Sequence, residues 1–242
     1  MDSDDTQEEE EEEEEYFEDF EEDKQQIDIT KLKNYQFYKN NIESKPHGDL
    51  ISNIHTLWKD DMRVLERHHG YIQWLFPLFE SNGVNFSAYK LEYVEAELFR
   101  TDLEIAIRII QSYRMMLNFY GMRLVNVTTG EINRINDKIF QKQRYSNLES
   151  NSHNNLRISR IITFLGHVGF QRYKAPLIAF LESEIQSKSL KIAKYSLDQF
   201  WKPLIDHRSK PKYFKNTMEQ EHHLQNESVI FQPENLNILL EI

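Results

Sequence analysis

The chain has 242 residues, no cysteine and a formal net charge of -11. That length allows one substantial core without a disulfide framework, and the missing thiols exclude thiolate catalysis and cysteine-ligated zinc and point to a reducing compartment. No apolar stretch approaches the ~20 residues that span a bilayer, and the acidic amino terminus lacks the basic start and apolar run of a secretory signal.

The charge is unevenly spread. Residues 1–23 hold 16 acidic side chains and no basic one, which leaves 24 acids against 29 bases in residues 24–242, a body of about +5. Such a segment buries too little apolar surface to offset chain entropy, so residues 1–29 read as an acidic disordered tail. Within it Tyr16, Phe17 and Phe20 offer contact points for a protein partner.

Past the tail the apolar spacing predicts a succession of helices, with little Gly or Pro punctuation. Asp49 is placed to cap a first helix that aligns Leu50, Ile54, Leu57 and Trp58, and Asp60 or Asp61 to cap a second through Leu65 and Glu66. The run His68-His69-Gly70-Tyr71-Ile72-Gln73-Trp74-Leu75-Phe76-Pro77-Leu78-Phe79 is the most apolar and aromatic of the chain, and its helical part ends at Pro77. Ser87 is read as the N-cap of a helix carrying Leu91, Val94 and Leu98, with Glu92, Glu95 and Glu97 on its polar side.

Thr101-Asp102-Leu103-Glu104 has the form of a capping box opening the clearest helix, which runs to Gly121. Leu124 to Val127 is the one extended stretch expected, followed by a turn at Thr128-Thr129-Gly130-Glu131. A polar helix is predicted from about Asn136 to Asn147. A further helix starts at Ser152 or Asn154, carries Leu156, Ile158, Ile161, Ile162 and Leu165, and stops at Gly166 and Gly169. Pro176 suits the first turn of the next helix, and a last one spans about Leu190 to Trp201. The expected architecture is therefore all-α: one multi-helix globular domain over residues 30–205, with residues 206–242 as an irregular, loosely attached C-terminal tail.

Four blocks carry a family resemblance: Asn40–Trp58, His69–Phe79 (HGYIQWLFPLF), Ser112–Leu124 (SYRMMLNFYGMRL) and His153–Gly169 (HNNLRISRIITFLGHVG). Across about residues 35–203 the chain resembles the conserved amino-terminal domain of the opioid growth factor receptor family. The resemblance implies a non-enzymatic receptor for the opioid pentapeptide met-enkephalin, unrelated to the seven-helix opioid receptors and linked to restraint of cell growth. It also implies residence in cytoplasm and nucleus, with peripheral association at the nuclear membrane. The basic stretch His207–Lys215 is a weak nuclear-import candidate.

The candidate ligand-binding residues are Glu66, Tyr71, Trp74, Phe76, His153, Asn154, Asn155 and Arg157. Three aromatics would enclose the peptide's rings, Glu66 would meet its amine and Arg157 its carboxylate; the competing reading makes the aromatics core. Ser152, His153, Asn154 and Asn155 crowd a helix start beyond what capping needs, which reads either as an anion site or as a network pinning that helix to the Tyr71–Phe76 segment.

Glu66-Arg67-His68-His69 and Glu219-Gln220-Glu221-His222 have the Glu-x-x-His spacing of di-iron bundles, but the bridging glutamates are not found, so no metal or other cofactor is expected. No nucleophile elbow, phosphate loop or kinase signature appears. The cluster Arg208, Lys210, Lys212 and Lys215 reads as a solvated basic surface without a nucleic-acid reading motif. Two alternatives to a receptor stand: a protein-interaction scaffold with no small ligand, and an enzyme with its site near Glu66, His69 and His153.

Overall fold

A computed structural model describes residues 28–80, 85–191, 193–205, 227–235 and 237–238. The chain divides into two compact units, residues 1–32 and 33–242; of the first, residues 28–32 are described and form a turn. Tyr16, Phe17 and Phe20 of the acidic arm, the basic stretch His207–Lys215 and Glu219–His222 lie outside the described residues.

The second unit is all-α, as expected, with one small hairpin added. Its longest helix is α6, Leu103–Phe119, and ten of its side chains, from Ile105 to Phe119, are buried. The cap is Asp102, whose carboxylate accepts from the amides of Glu104 (3.0 Å) and Ile105 (3.2 Å). Thr101 belongs instead to the preceding helix, where its hydroxyl donates to the Glu97 carbonyl at 3.0 Å. At the other end Gly121 takes φ +83°, and a Cβ there would lie 3.0 Å from the Tyr145 ring, so this stop needs glycine on both counts.

Before α6 come α1 Lys33–Tyr38, α2 Ile51–Asn53, α3 Met62–Arg67, α4 Tyr71–Leu75 and α5 Tyr93–Thr101. Asp61 caps α3 through the amides of Arg63 and Val64, both at 3.0 Å. Asp49 does not cap α2: its Oδ1 is engaged by the Leu50 amide (2.8 Å) and the Asn53 side chain (2.7 Å). Helix α2 passes directly into a π-helical turn, Ile54–Trp58, whose extra residue rotates Leu57 off the buried face and leaves it 68% exposed. Ser87 does not start a helix either. Asn85 accepts the Ser87 amide at 2.9 Å and ties itself to the carbonyls of Lys45 and Gly70, holding this stretch as a turn until Tyr93.

Glu95, expected on a polar face, is fully buried. Its carboxylate accepts from the amide (2.8 Å) and side chain (2.7 Å) of Asn34 and the amides of Tyr35 (3.1 Å) and Glu92 (3.0 Å). One carboxyl group thus serves the N-terminal turns of both α1 and α5; burial pushes its pKa up against the pull of these hydrogen bonds.

After α6, strand β1 Met122–Asn126 pairs antiparallel with β2 Glu131–Arg134, Leu124 facing Ile132. The second strand was not expected, because only Ile132 of its four residues is buried and no alternation announces it. Helix α7 Lys138–Ser150 is capped by Asp137 and buries Tyr145 and Leu148. Helix α8 His153–His167 runs through Gly166 and gives way at Val168, so the expected stop at Gly166 lies inside it. Helix α9 Lys174–Gln186 carries Pro176 in its first turn, and α10 Lys194–Ser196 continues as a π turn and a 3₁₀ turn to Leu204.

Residues 227–235 hold two 3₁₀ turns, Val229–Phe231 and Pro233–Asn235, and the first is anchored in the core rather than loosely attached. Ile230 is fully buried and Phe231 nearly so, edge-on to Phe170 and Tyr173 at 5.1 and 5.6 Å between ring centres. Arg172 lies 4.1 Å above the Phe231 ring and pairs with Glu227. Three adjacent apolar residues, Val229, Ile230 and Phe231, in a polar stretch give no period, which is why sequence patterning missed them.

Candidate functional site

The aromatic run folds inward. Tyr71, Trp74 and Phe76 are at most 1% exposed. The Trp74 indole donates to the Lys45 carbonyl at 2.9 Å and packs against Phe37 (5.3 Å) and Tyr89 (5.7 Å). Phe76 meets Phe164 edge to face at 5.5 Å, and its carbonyl accepts from Arg160. The Tyr71 hydroxyl donates to the Leu65 carbonyl at 3.0 Å. These rings hold α4 to its neighbours and leave no accessible face of their own for a ligand.

The two halves of the family pattern do meet, at Glu66. Its Oε2 accepts from the side-chain amides of Asn147 (2.6 Å) and Asn154 (3.1 Å), and His153 Nε2 lies 2.6 Å from Oε1. Burial would raise the Glu66 carboxyl. The two amides, with the charges of His153 and Arg157, outweigh it and hold the group below its ordinary value.

Arg157 reaches away from its own helix start. Its guanidinium donates to the carbonyls of Leu65 (2.9 Å), Glu66 (3.4 Å) and His68 (3.5 Å) and lies 5.6 Å over the Tyr71 ring. Those carbonyls close the C-terminal end of α3, where a cation is favourable. A first-turn arginine that looks misplaced on α8 is thus a cap for another helix. The start of α8 already has its anion in Glu66.

Glu66, Tyr71, His153, Asn154 and Arg157 therefore form one knot, whereas Trp74, Phe76 and Asn155 stand apart from it. The Asn155 carbonyl accepts from the Trp201 indole at 3.3 Å. His69 stands beside His153, ring centres 5.5 Å apart, but no group of three metal-ligating side chains occurs among the described residues.

Open space lies elsewhere. A groove of about 630 Å³ runs between the π turn after α2 and the outer face of α6, lined by Ser52, His55, Lys59, Ile107, Arg114 and Met115 among others. A second hollow of about 450 Å³, with Met62, Phe140 and Arg144 in its walls, shares Asp60 with it. Burial lowers the His55 pKa to about 4, the ring being neutral at pH 7, and its Nε2 lies 2.8 Å from Ser112 Oγ. The pair resembles a nucleophile and its base, but Ser112 is fully buried, so no substrate reaches it. None of these groove residues was a ligand-binding candidate from sequence; Asp60 and Glu104 were read only as capping residues. The available signal was the stripe Glu104, Arg108, Gln111, Met115 and Asn118, which recurs every three or four residues along an otherwise apolar helix.

The family model for the opioid growth factor receptor (OGFr) conserved region matches residues 27–237. The opioid growth factor receptor of Mus musculus is 44% identical over 169 residues, covering 69% of this chain and 26% of that protein. Opioid growth factor receptor-like protein 1 of Rattus norvegicus is 36% identical over 204 residues, covering 84% of this chain and 42% of that protein. The Homo sapiens receptor is 43% identical over 169 residues, 24% of its length. The chain thus spans between about a quarter and two-fifths of these relatives, and no solved structure matches it. With the family model covering most of the chain and both halves of the Glu66 knot inside the matched region, this protein belongs to the opioid growth factor receptor family.

Proposed function

We propose that this chain is a non-enzymatic receptor domain that binds an opioid-type peptide such as met-enkephalin and takes part in restraining cell growth from the cytoplasm and nucleus, in part at the nuclear membrane. The observation that carries this reading is the 44% identity to a protein named opioid growth factor receptor, spread over 69% of the chain. The absence of a catalytic signature in the sequence agrees with a binding role. Among the described residues no helix is long and apolar enough to cross a membrane, so membrane association in this reading is peripheral.

The test is calorimetric titration of the folded full chain with met-enkephalin and a scrambled pentapeptide. Saturable heat for the first alone supports the receptor; equal or undetectable heats remove it. A second reading, an interaction scaffold without a small ligand, is favoured by one observation: the aromatic run at Tyr71–Phe76 is packed solid, with its neighbouring carboxylate already satisfied.

A further inference from the structure

The first turn of helix α7 leaves large apolar side chains uncovered. Tyr145 and Leu148 form its buried stripe, and Ile139 and Phe140 lie off that stripe, 71% and 53% exposed. Single apolar side chains on a surface need no explanation, but Phe140 is also a wall of the hollow of about 450 Å³, with Met62 of α3 and Arg144. The hollow is preformed. Asn147, in its lining, ties α7 to Glu66 of α3 at 2.6 Å, while Arg144 donates to the Asn118 carbonyl at 2.7 Å and lies 5.9 Å from the centre of the Phe140 ring.

The charges around it are unequal. Asp61 accepts from the first amides of α3, Asp137 accepts from the amides of Ile139 and Phe140, and Asp60 and Asp137 both act on the Arg144 guanidinium. The cations are differently placed. Lys59 and Arg63 flank Asp60 and Met62 in the chain, Lys138 and Lys142 stand two residues to either side of Phe140, and all four are exposed with no acidic partner among the described residues.

We propose that this hollow and the first turn of α7 are a docking surface for an acidic segment of another protein: one bulky apolar side chain of the partner enters between Met62 and Phe140, and aspartates or glutamates beside it meet Lys138, Lys142, Lys59 and Arg63. The surface is independent of the peptide-receptor reading. The apolar anchor supplies the desolvated centre of the contact, and the exposed cations around it supply specificity and salt dependence. A lipid surface fits less well, because a membrane takes protruding apolar side chains, whereas these walls face a hollow that holds the Asp60 carboxylate, which anionic headgroups would repel.

The experiment titrates the full chain into a fluorescent peptide of about 12 residues, long enough for three helical turns, with one phenylalanine among aspartates and glutamates. Two control peptides replace the acids by serine or the phenylalanine by alanine. The variants are the double substitution Lys138→Glu with Lys142→Glu, and Gln143→Trp; Gln143 is exposed at the hollow, so a tryptophan there fills it without entering the core, and thermal unfolding confirms that each variant is folded. Expected results are saturable binding of the acidic peptide to the wild type, weaker by at least about tenfold for either control peptide and for either variant. No binding of the acidic peptide, or a smaller loss in any of the four comparisons, overturns the proposal. So does binding to phosphatidylserine vesicles with no response to the peptide, which makes the surface a membrane contact, or self-association that Gln143→Trp abolishes, which makes a second copy the occupant.

Discussion

The knot around Glu66 and the groove beside α6 lie on neighbouring helices and are built to opposite plans. In the knot every strong group is answered from within the chain: Glu66 by Asn147, Asn154 and His153, Arg157 by the end carbonyls of α3. The groove is open space lined by a neutral histidine, by Ile107 and Met115, and by charged side chains such as Arg108, itself paired with Glu104. The knot is the part of the family pattern most visible in sequence, and it is architecture. Buried polar groups must be satisfied, so they demand particular residues at particular positions, and that demand makes a motif conspicuous whether or not a ligand is involved.

The comparison breaks if the aromatic run is surface. Trp74→Ala removes a buried indole and its bond to Lys45, and is expected to cost about 3–5 kcal/mol in denaturant unfolding. A cost under about 1 kcal/mol would place Trp74 outside the core. Next in size is Arg157→Met, which strands the carbonyls at the end of α3 and the side-chain oxygen of Asn154; a loss of about 2–4 kcal/mol is expected. Arg157→Lys recovers little of it, since an ammonium lacks the planar fork that serves several carbonyls at once.

Glu95→Gln sharpens the same point away from the knot. An amide nitrogen would face the donors of Asn34, Tyr35 and Glu92, costing about 1–3 kcal/mol by thermal unfolding. The smallest effect is a pH dependence. The Glu66 carboxyl is held below its ordinary 4.5, so its contribution to stability is complete above that value and is lost as pH falls through the lowered folded value. Denaturant unfolding between about pH 6 and pH 3 should therefore show a shallower acid decline in Glu66→Gln than in the wild type. Parallel declines would mean that Glu66 is not ionised and bonded as described.

Much of this fold is legible from spacing. Helix α6, the stop at Gly121, the cap at Asp61 and the end of α4 before Pro77 follow from apolar period and terminal chemistry. The failures share a cause, since each involves a side chain whose partner is distant in sequence. Glu95 reads as surface until Asn34 is brought to it, Ser87 reads as a cap until Asn85 claims its amide, and Arg157 reads as a ligand cation until α3 presents its carbonyls. Of the candidate site, the meeting of the two blocks was readable, but the groove was not, because it is made by the π turn that displaces Leu57 and by no local motif.

Backbone amide hydrogen exchange of the full chain, with and without saturating met-enkephalin, separates the two regions most directly. The account predicts unchanged exchange in residues 66–76 and 153–157, where the rings are core and the carboxylate and guanidinium are already bonded within the chain. New protection in those segments would contradict it, making the knot the binding site.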